Sequence, residues 1–126
     1  MTALLLDTHV VIWWILANPK VRPSWVEAIV DPENSVAVSA ASVWEVEIKK
    51  RRGRLDFPLD LVDLAGVHGF DLLPMTASDA RLAGSLDWEH NDPFDRMLAA
   101  QSLEHDLVMV TDDAALAAAP GIRRLS

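Results

Sequence analysis

The sequence predicts an α/β fold in which a central parallel sheet of four to five strands carries helices on both sides. Three observations predict it. Runs such as Ala3-Leu4-Leu5-Leu6 and Leu107-Val108-Met109-Val110 are short and apolar throughout, as strands buried on both faces must be. Segments with helical spacing alternate with these runs, the pattern of crossover connections in a parallel sheet. The length of 126 residues suits one domain with a sizeable core and leaves no room for a second, so residues 1–126 are read as a single three-layer unit.

Residues 3–7 form the first strand with Asp7 at its carboxyl end, and a helical pattern through Val10, Val11, Trp14 and Ile15 follows at once. Pro19 and Pro23 break the chain before a second helix, Ser24 to Val30. Val36-Ala37-Val38 is the second strand. The hydroxyls of Ser39 and Ser42 can then cap a third helix, which carries Trp44, Glu45 and Ile48 and ends at a basic strip and Gly53. Leu59 to Val67 reads as a fourth helix, Phe70 to Leu73 as a third strand, and Thr76-Ala77-Ser78-Asp79 opens a helix to about Ala83. Gly84 to Asn91 reads as an exposed loop. Asp92-Pro93 starts the next helix, since a carboxylate caps free amides and proline at the first helical position forfeits no bond; Leu98, Ala99, Ala100 and Leu103 then form its apolar face. Leu107 to Val110 is the fourth strand, running into Thr111-Asp112-Asp113, and Ile122 marks a short fifth. Trp25, Trp44 and Trp88 are expected in the core. Trp13 and Trp14 point about 100° apart on their helix and cannot both face the same core.

Apolar residues make up 51% of the chain, which excludes disorder, and there is no cysteine, which excludes disulfides and thiolate metal sites. The longest apolar runs, such as Val10 to Ala17, are far short of a membrane span, and no secretory pattern opens the chain, so a cytoplasmic protein without a membrane partner is expected. The net charge of −8 argues against coating nucleic acid with positive charge. Its distribution is uneven. Eight acidic residues and one basic residue, Arg96, lie between Asp87 and Asp113, whereas Lys49, Lys50, Arg51, Arg52 and Arg54 place five of the eleven Lys and Arg within one short strip. An acidic pocket for a metal beside a strip that receives a polyanion would carry this pattern; two solvated faces would carry it as well.

In open parallel sheets the ligand crevice lies beyond the carboxyl ends of the strands. This gathers Asp7, Ser39 and the Thr111–Asp113 turn at one edge, and helices that follow strands start there too, adding Asp95 and Glu45. Asp7, Glu45, Asp95 and Asp113 would then repel one another in a partly dry pocket unless a cation sits among them. Oxygen ligands without thiolates suit Mg2+ or Mn2+, and an ion of that kind supplies an activated water and stabilises charge on phosphate. Hydrolysis of a phosphodiester is the chemistry this implies. Each acid taken singly also has a plain structural account: Asp7 as a helix cap, Glu45 paired with Lys49, Arg96 paired back to a capping Asp92, and Asp112 and Asp113 as turn residues.

Four segments carry a family resemblance: Leu-Leu-Asp-Thr-His at 5–9, Ser-Ala-Ala-Ser-Val-Trp-Glu at 39–45, His-Asn-Asp-Pro-Phe-Asp-Arg-Met-Leu-Ala-Ala-Gln at 90–101, and Leu-Val-Met-Val-Thr-Asp-Asp at 107–113. With them nearly the whole chain resembles a PIN-domain ribonuclease of the VapC type, the toxin half of a bacterial toxin–antitoxin pair. The third segment is the most specific. The resemblance implies a flavodoxin-like sheet and Asp7 and Asp95 as principal metal ligands, with Glu45 as third acid and Asp113 as fourth, Asp112 being the variable residue beside it. It implies that Asp92 positions its helix and Arg96, and that Ser39 and Thr111 orient carboxylates. It further implies Mg2+- or Mn2+-dependent cleavage of structured RNA, a homodimer, and a VapB-type antitoxin laid in a groove beside the site, for which Trp13 or Trp14 would supply surface.

Other classes fit less well. A receiver domain needs an acidic pair after the first strand and a phosphoacceptor after the middle one, but Thr8 and His9 follow Asp7 and the third strand ends at Leu73-Pro74. A haloacid-dehalogenase-type phosphatase needs a second Asp where His9 stands. A catalytically silent RNA- or protein-binding module on the same fold remains the alternative, against which the intact acidic set argues.

Overall fold

The computed structural model describes all residues, Met1–Ser126. Five strands form one parallel sheet: β1 (Ala3–Leu6), β2 (Ser35–Ser39), β3 (Asp71–Leu73), β4 (Val108–Val110) and β5 (Arg123–Leu125), in the order β3-β2-β1-β4-β5. Seven helices connect them: α1 (Thr8–Ile15), α2 (Pro23–Val30), α3 (Ala40–Arg51), α4 (Leu61–Val67), α5 (Ala77–Ser85), α6 (Pro93–Glu104) and α7 (Ala114–Ala117). No helix is long and apolar enough to cross a membrane.

Because strand side chains alternate between faces, the central strand divides the core in two. Leu4 and Leu6 join Val36, Val38 and Val110 under α1 to α4, in a cluster with Val10, Val11, Trp25, Val46 and Phe57. Leu5 and Met109 face the other way and pack on Leu98 and Ala99 of α6 and Leu116 of α7. Complete burial of Leu5 and Leu6 stabilises the fold by about 1.5–3 kcal/mol each.

The chain leaves β1 toward β2 on one side and returns from β3 to β4 on the other. The strand order therefore reverses between β1 and β4, and a crevice opens beyond the carboxyl ends of that pair. Leu6 pairs with Val110 at the last register position, and the Asp7 amide donates to the Val110 carbonyl at 3.0 Å. Asp7 and Thr111 thus emerge side by side at the mouth of the crevice.

Helix ends follow the local chemistry expected of them. Ser39 Oγ accepts from the Ala41 amide, Asp92 from the Phe94 and Asp95 amides, and Thr76 and Asp79 form a reciprocal capping box. The fourth helix begins at Leu61 and not Leu59, because Asp60 caps it. The fifth continues through Gly84 to Ser85, shortening the exposed loop read at 84–91. Asp113 caps α7, a single turn of alanines and Leu116 that the sequence reading left as a turn.

Candidate functional site

Asp7 and Asp95 stand at the crevice, with the exposed Asp113 near enough for its charge to act on both. Asp7, only 4% exposed, is fixed by the strand that carries it, and its Oδ2 accepts a 2.7 Å hydrogen bond from the Thr111 hydroxyl. The same Thr111 oxygen accepts from the Asp113 amide at 3.0 Å, so one hydroxyl ties together the ends of β1 and β4 and the start of α7. Asp7 occupies the N-cap position of α1, but its side chain makes no capping hydrogen bond there. Burial pushes the Asp7 carboxyl above its ordinary value and the Asp113 charge adds to this, while Thr111, His9 and the Thr8 amide pull the other way.

Asp95 stands in the first turn of α6, and its Oδ2 accepts a 2.7 Å hydrogen bond from His90 Nε2. Burial, followed by the charges of Asp92, Asp7 and Asp113, pushes its carboxyl up to about 6 against the His90 hydrogen bond. The charges of Asp7 and Asp113 thus reach Asp95, and that of Asp113 reaches Asp7; the adjacent Asp112 is exposed.

The other predicted residues are placed differently. Glu45 is buried to 7% exposure on α3, but its carboxylate pairs with Lys49 at 2.9 Å, in the favourable i,i+4 order. Beside it Thr8 Oγ1 and Ser42 Oγ share a buried hydrogen bond of 2.8 Å that pins α1 to α3. Ser39 does not orient a carboxylate: its hydroxyl donates to Gln101 Oε1 at 2.5 Å, because the third turn of α6 passes over the end of β2. Asp92 caps α6 and makes no ion pair with Arg96. The Arg96 guanidinium turns back over the preceding loop and donates to the carbonyls of Ala83, Leu86, Trp88 and His90 at 2.6–2.9 Å.

The basic strip is only partly free. Lys49 is held by Glu45, and Lys50 donates to the Leu59 carbonyl at 3.0 Å, whereas Arg51, Arg52 and Arg54 are exposed and form no ion pair. Arg51 lies six residues beyond Glu45, about 9 Å farther along the helix axis.

Among the tryptophans, Trp25 is fully buried and Trp88 half-buried, but Trp44 is 54% exposed, contrary to its expected place in the core. The Glu45 side of α3 turns inward, so its neighbour turns out, and Trp44 rests edge-on against Phe94 with ring centroids 5.1 Å apart. Trp13 and Trp14 are both half-buried. Trp14 donates from Nε1 to His68 Nδ1 at 3.2 Å and packs on Phe70, and Lys20 lies over the Trp13 ring, so flanking segments cover both sides of α1.

Two further residues of the 90–101 segment have partners that its sequence does not announce: His90 bonds Asp95 at the site, and Gln101 belongs to a separate buried polar group. Gln101 had a visible signal, a lone amide on the face of Leu98, Ala99 and Ala100. It is fully buried, donating from Nε2 to Asp79 Oδ2 and the Pro74 carbonyl, both at 3.2 Å. His105 completes the group at 2.9 Å from Asp79 Oδ1.

Comparison with known proteins places the fold and the family. Ribonuclease VapC22 of Mycobacterium tuberculosis is 28% identical over 119 residues, covering 90% of this chain and 88% of that protein. The structure of DNA-bound VapBC from Salmonella typhimurium superposes with a TM-score of 0.72 at 21% identity, covering 99% of this chain and 98% of that one. VapBC2 from Rickettsia felis, bound to a DNA fragment from its promoter, superposes with a TM-score of 0.70 at 15% identity and 98% coverage of both chains. The model of the PIN domain matches residues 4–122, from the first strand to the threshold of the last, and by that match the chain belongs to the PIN domain family.

Proposed function

We propose that this chain is a divalent-metal-dependent endoribonuclease of the VapC type, the toxin of a bacterial toxin–antitoxin pair, which hydrolyses phosphodiester bonds of structured RNA such as tRNA or rRNA. One observation carries the reading: Asp7 and Asp95, from two separate segments, are both raised above the ordinary carboxylate range at the switch point of the sheet, by burial first and then by neighbouring charge, Asp7 and Asp113 both acting on Asp95. Such a set gains most from a bound cation.

The donor chemistry fits Mg2+ or Mn2+. All candidate ligands are oxygens and the chain has no thiolate, the donor set of an ion held by one or two carboxylates that keeps much of its water. Asp7 and Asp95 are the principal ligands, Asp113 is the third acid at the site, and Glu45 contributes when Lys49 turns to phosphate. When bound, the ion supplies an activated water and stabilises charge on the phosphate. The chain does the positioning. Thr111 holds Asp7 by one oxygen, His90 holds Asp95 by one oxygen, and Arg51, Arg52 and Arg54 draw the RNA backbone toward the far end of α3.

The relatives solved as VapBC complexes support a VapB-type antitoxin as partner, with a homodimer of this chain inside a toxin–antitoxin hetero-oligomer in the cytoplasm. The test is cleavage of cellular RNA by purified protein with and without Mg2+ or Mn2+. Asp95→Asn is expected to abolish cleavage and toxicity while keeping the parent's circular dichroism. An Asp95→Asn protein that cleaves as fast as the parent would return the chain to the reading of a silent binding module.

A further inference from the structure

The loop between α5 and α6 has no secondary structure of its own, yet it is tethered by a single side chain. Arg96, one residue after Asp95, sends its guanidinium into four carbonyls: Ala83 at 2.8 Å, Leu86 at 2.8 Å, Trp88 at 2.6 Å and His90 at 2.9 Å. A charged fork bonded to four acceptors is a strong anchor, because charge-assisted hydrogen bonds are worth roughly twice neutral ones. The Trp88 ring packs on His90 with centroids 4.8 Å apart, and the Arg96 guanidinium lies 5.9 Å from that same ring. All of this converges on one contact, His90 Nε2 donating to Asp95 Oδ2 at 2.7 Å. The Asp95 backbone is fixed as well, its amide bonded to Asp92 Oδ1 at 3.0 Å. Only Oδ1 of Asp95 accepts no hydrogen bond.

We propose that His90 is a positioning residue for Asp95, presented by an Arg96-clamped loop that holds the carboxylate by Oδ2 and leaves Oδ1 as its free donor. This rests on the reading of Asp95 as a ligand to the divalent ion. Without His90 the carboxylate has more than one way to sit among Asp7, Asp92 and Asp113, and binding a cation must pay the cost of ordering it. With His90 that ordering is complete beforehand, as for the partners that orient ligands in other metal sites. The imidazole touches neither ion nor substrate in this scheme. Arg96 acts one step further back, by making a loop without regular structure rigid enough to hold a ring to within a hydrogen-bond length. An Arg at this position serves where Lys would not, since an ammonium cannot fork across four carbonyls.

The test is calorimetric titration of Mn2+ into the parent, His90→Gln, His90→Asn and Asp95→Asn, with RNA cleavage against Mn2+ concentration alongside. Gln carries an N–H at the reach of the imidazole Nε2; Asn is equally polar and too short. His90→Asn is expected to weaken Mn2+ binding on the order of 10-fold and to shift the Mn2+ requirement for cleavage upward by the same factor. His90→Gln is expected to restore most of both. A residue that only filled the loop would make the two variants alike, so equal Mn2+ affinities for His90→Asn and His90→Gln, whether at the parent's level or below it, overturn the proposal. Asp95→Asn keeps the two levels apart: if it binds Mn2+ as the parent does, the reading of Asp95 fails and the proposal with it. If Asp95→Asn loses binding while His90→Asn does not, the role of His90 alone is refuted.

Discussion

At the scale of single residues, the site stores unfavourable electrostatics that a cation would release. The folded Asp95 carboxyl titrates near 6 against an ordinary value of 3.8, so the folded state binds its proton more tightly than the unfolded chain does. Its contribution to stability is then fully present below about pH 4 and is lost as pH rises through 6. At pH 7 the penalty is on the order of 2–3 kcal/mol, from about 1.4 kcal/mol per pKa unit. Asp95→Asn is therefore expected to melt higher than the metal-free parent at pH 7, with the difference shrinking toward pH 4; a difference independent of pH would mean the carboxylate is not strained. Asp79 behaves oppositely. Burial works against its charge, but the Thr76 amide, Gln101 and His105 together hold it below the ordinary range. Its contribution is present above about pH 4 and fades as pH falls through its folded value. Asp79→Ala should cost about 2–3 kcal/mol at neutral pH by orphaning buried donors, which denaturant unfolding would measure.

At the scale of elements, the legibility of each segment followed its dependence on local chemistry. Strands β1, β2 and β4 were readable because strands buried on both faces are apolar throughout, and α6 was readable from Asp92-Pro93. Asp95 reached the predicted edge by another route. The reasoning placed it there as though its helix followed a strand, but α6 follows α5, and the two form an antiparallel hairpin in which His105 near one end meets Asp79 and Arg96 near the other meets Ala83. The partners of Arg96 were not readable, since backbone carbonyls, one at the end of α5 and three in the loop, leave no mark in side-chain identity. The exposure of Trp44 escaped for a related reason: Ala41, Glu45 and Ile48 defined the inward stripe of α3 only once Glu45 was known to be buried. On α3 itself, the free guanidinium groups predict a salt effect. Replacing Arg51 and Arg52 by Gln should weaken RNA binding and lower the slope of log affinity against log salt by about 1–2. Filter binding across a salt series with the uncleaving Asp95→Asn background would show it, and an unchanged slope would make the strip ordinary surface.

At the scale of the whole molecule, the reversal of strand order between β1 and β4 is what turns scattered acids into a site. Leu5, fully buried against Met109 of the neighbouring strand and Leu98 of α6, supports that reversal from one face; Leu5→Ala should cost about 2–5 kcal/mol in unfolding free energy and lower metal affinity only through the folded fraction. Asp7, Asp95 and Asp113 lie far apart in the chain, and no local pattern states that they share an edge; the rule for parallel sheets and the family resemblance imply it, and in the folded chain the charges of Asp7 and Asp113 reach Asp95. The most direct measurement is anomalous diffraction from crystals of this protein grown with Mn2+. The account predicts an anomalous peak within coordination distance of carboxylate oxygens of both Asp7 and Asp95. A fully occupied Mn2+ elsewhere on the molecule, with those two side chains bare, would contradict it.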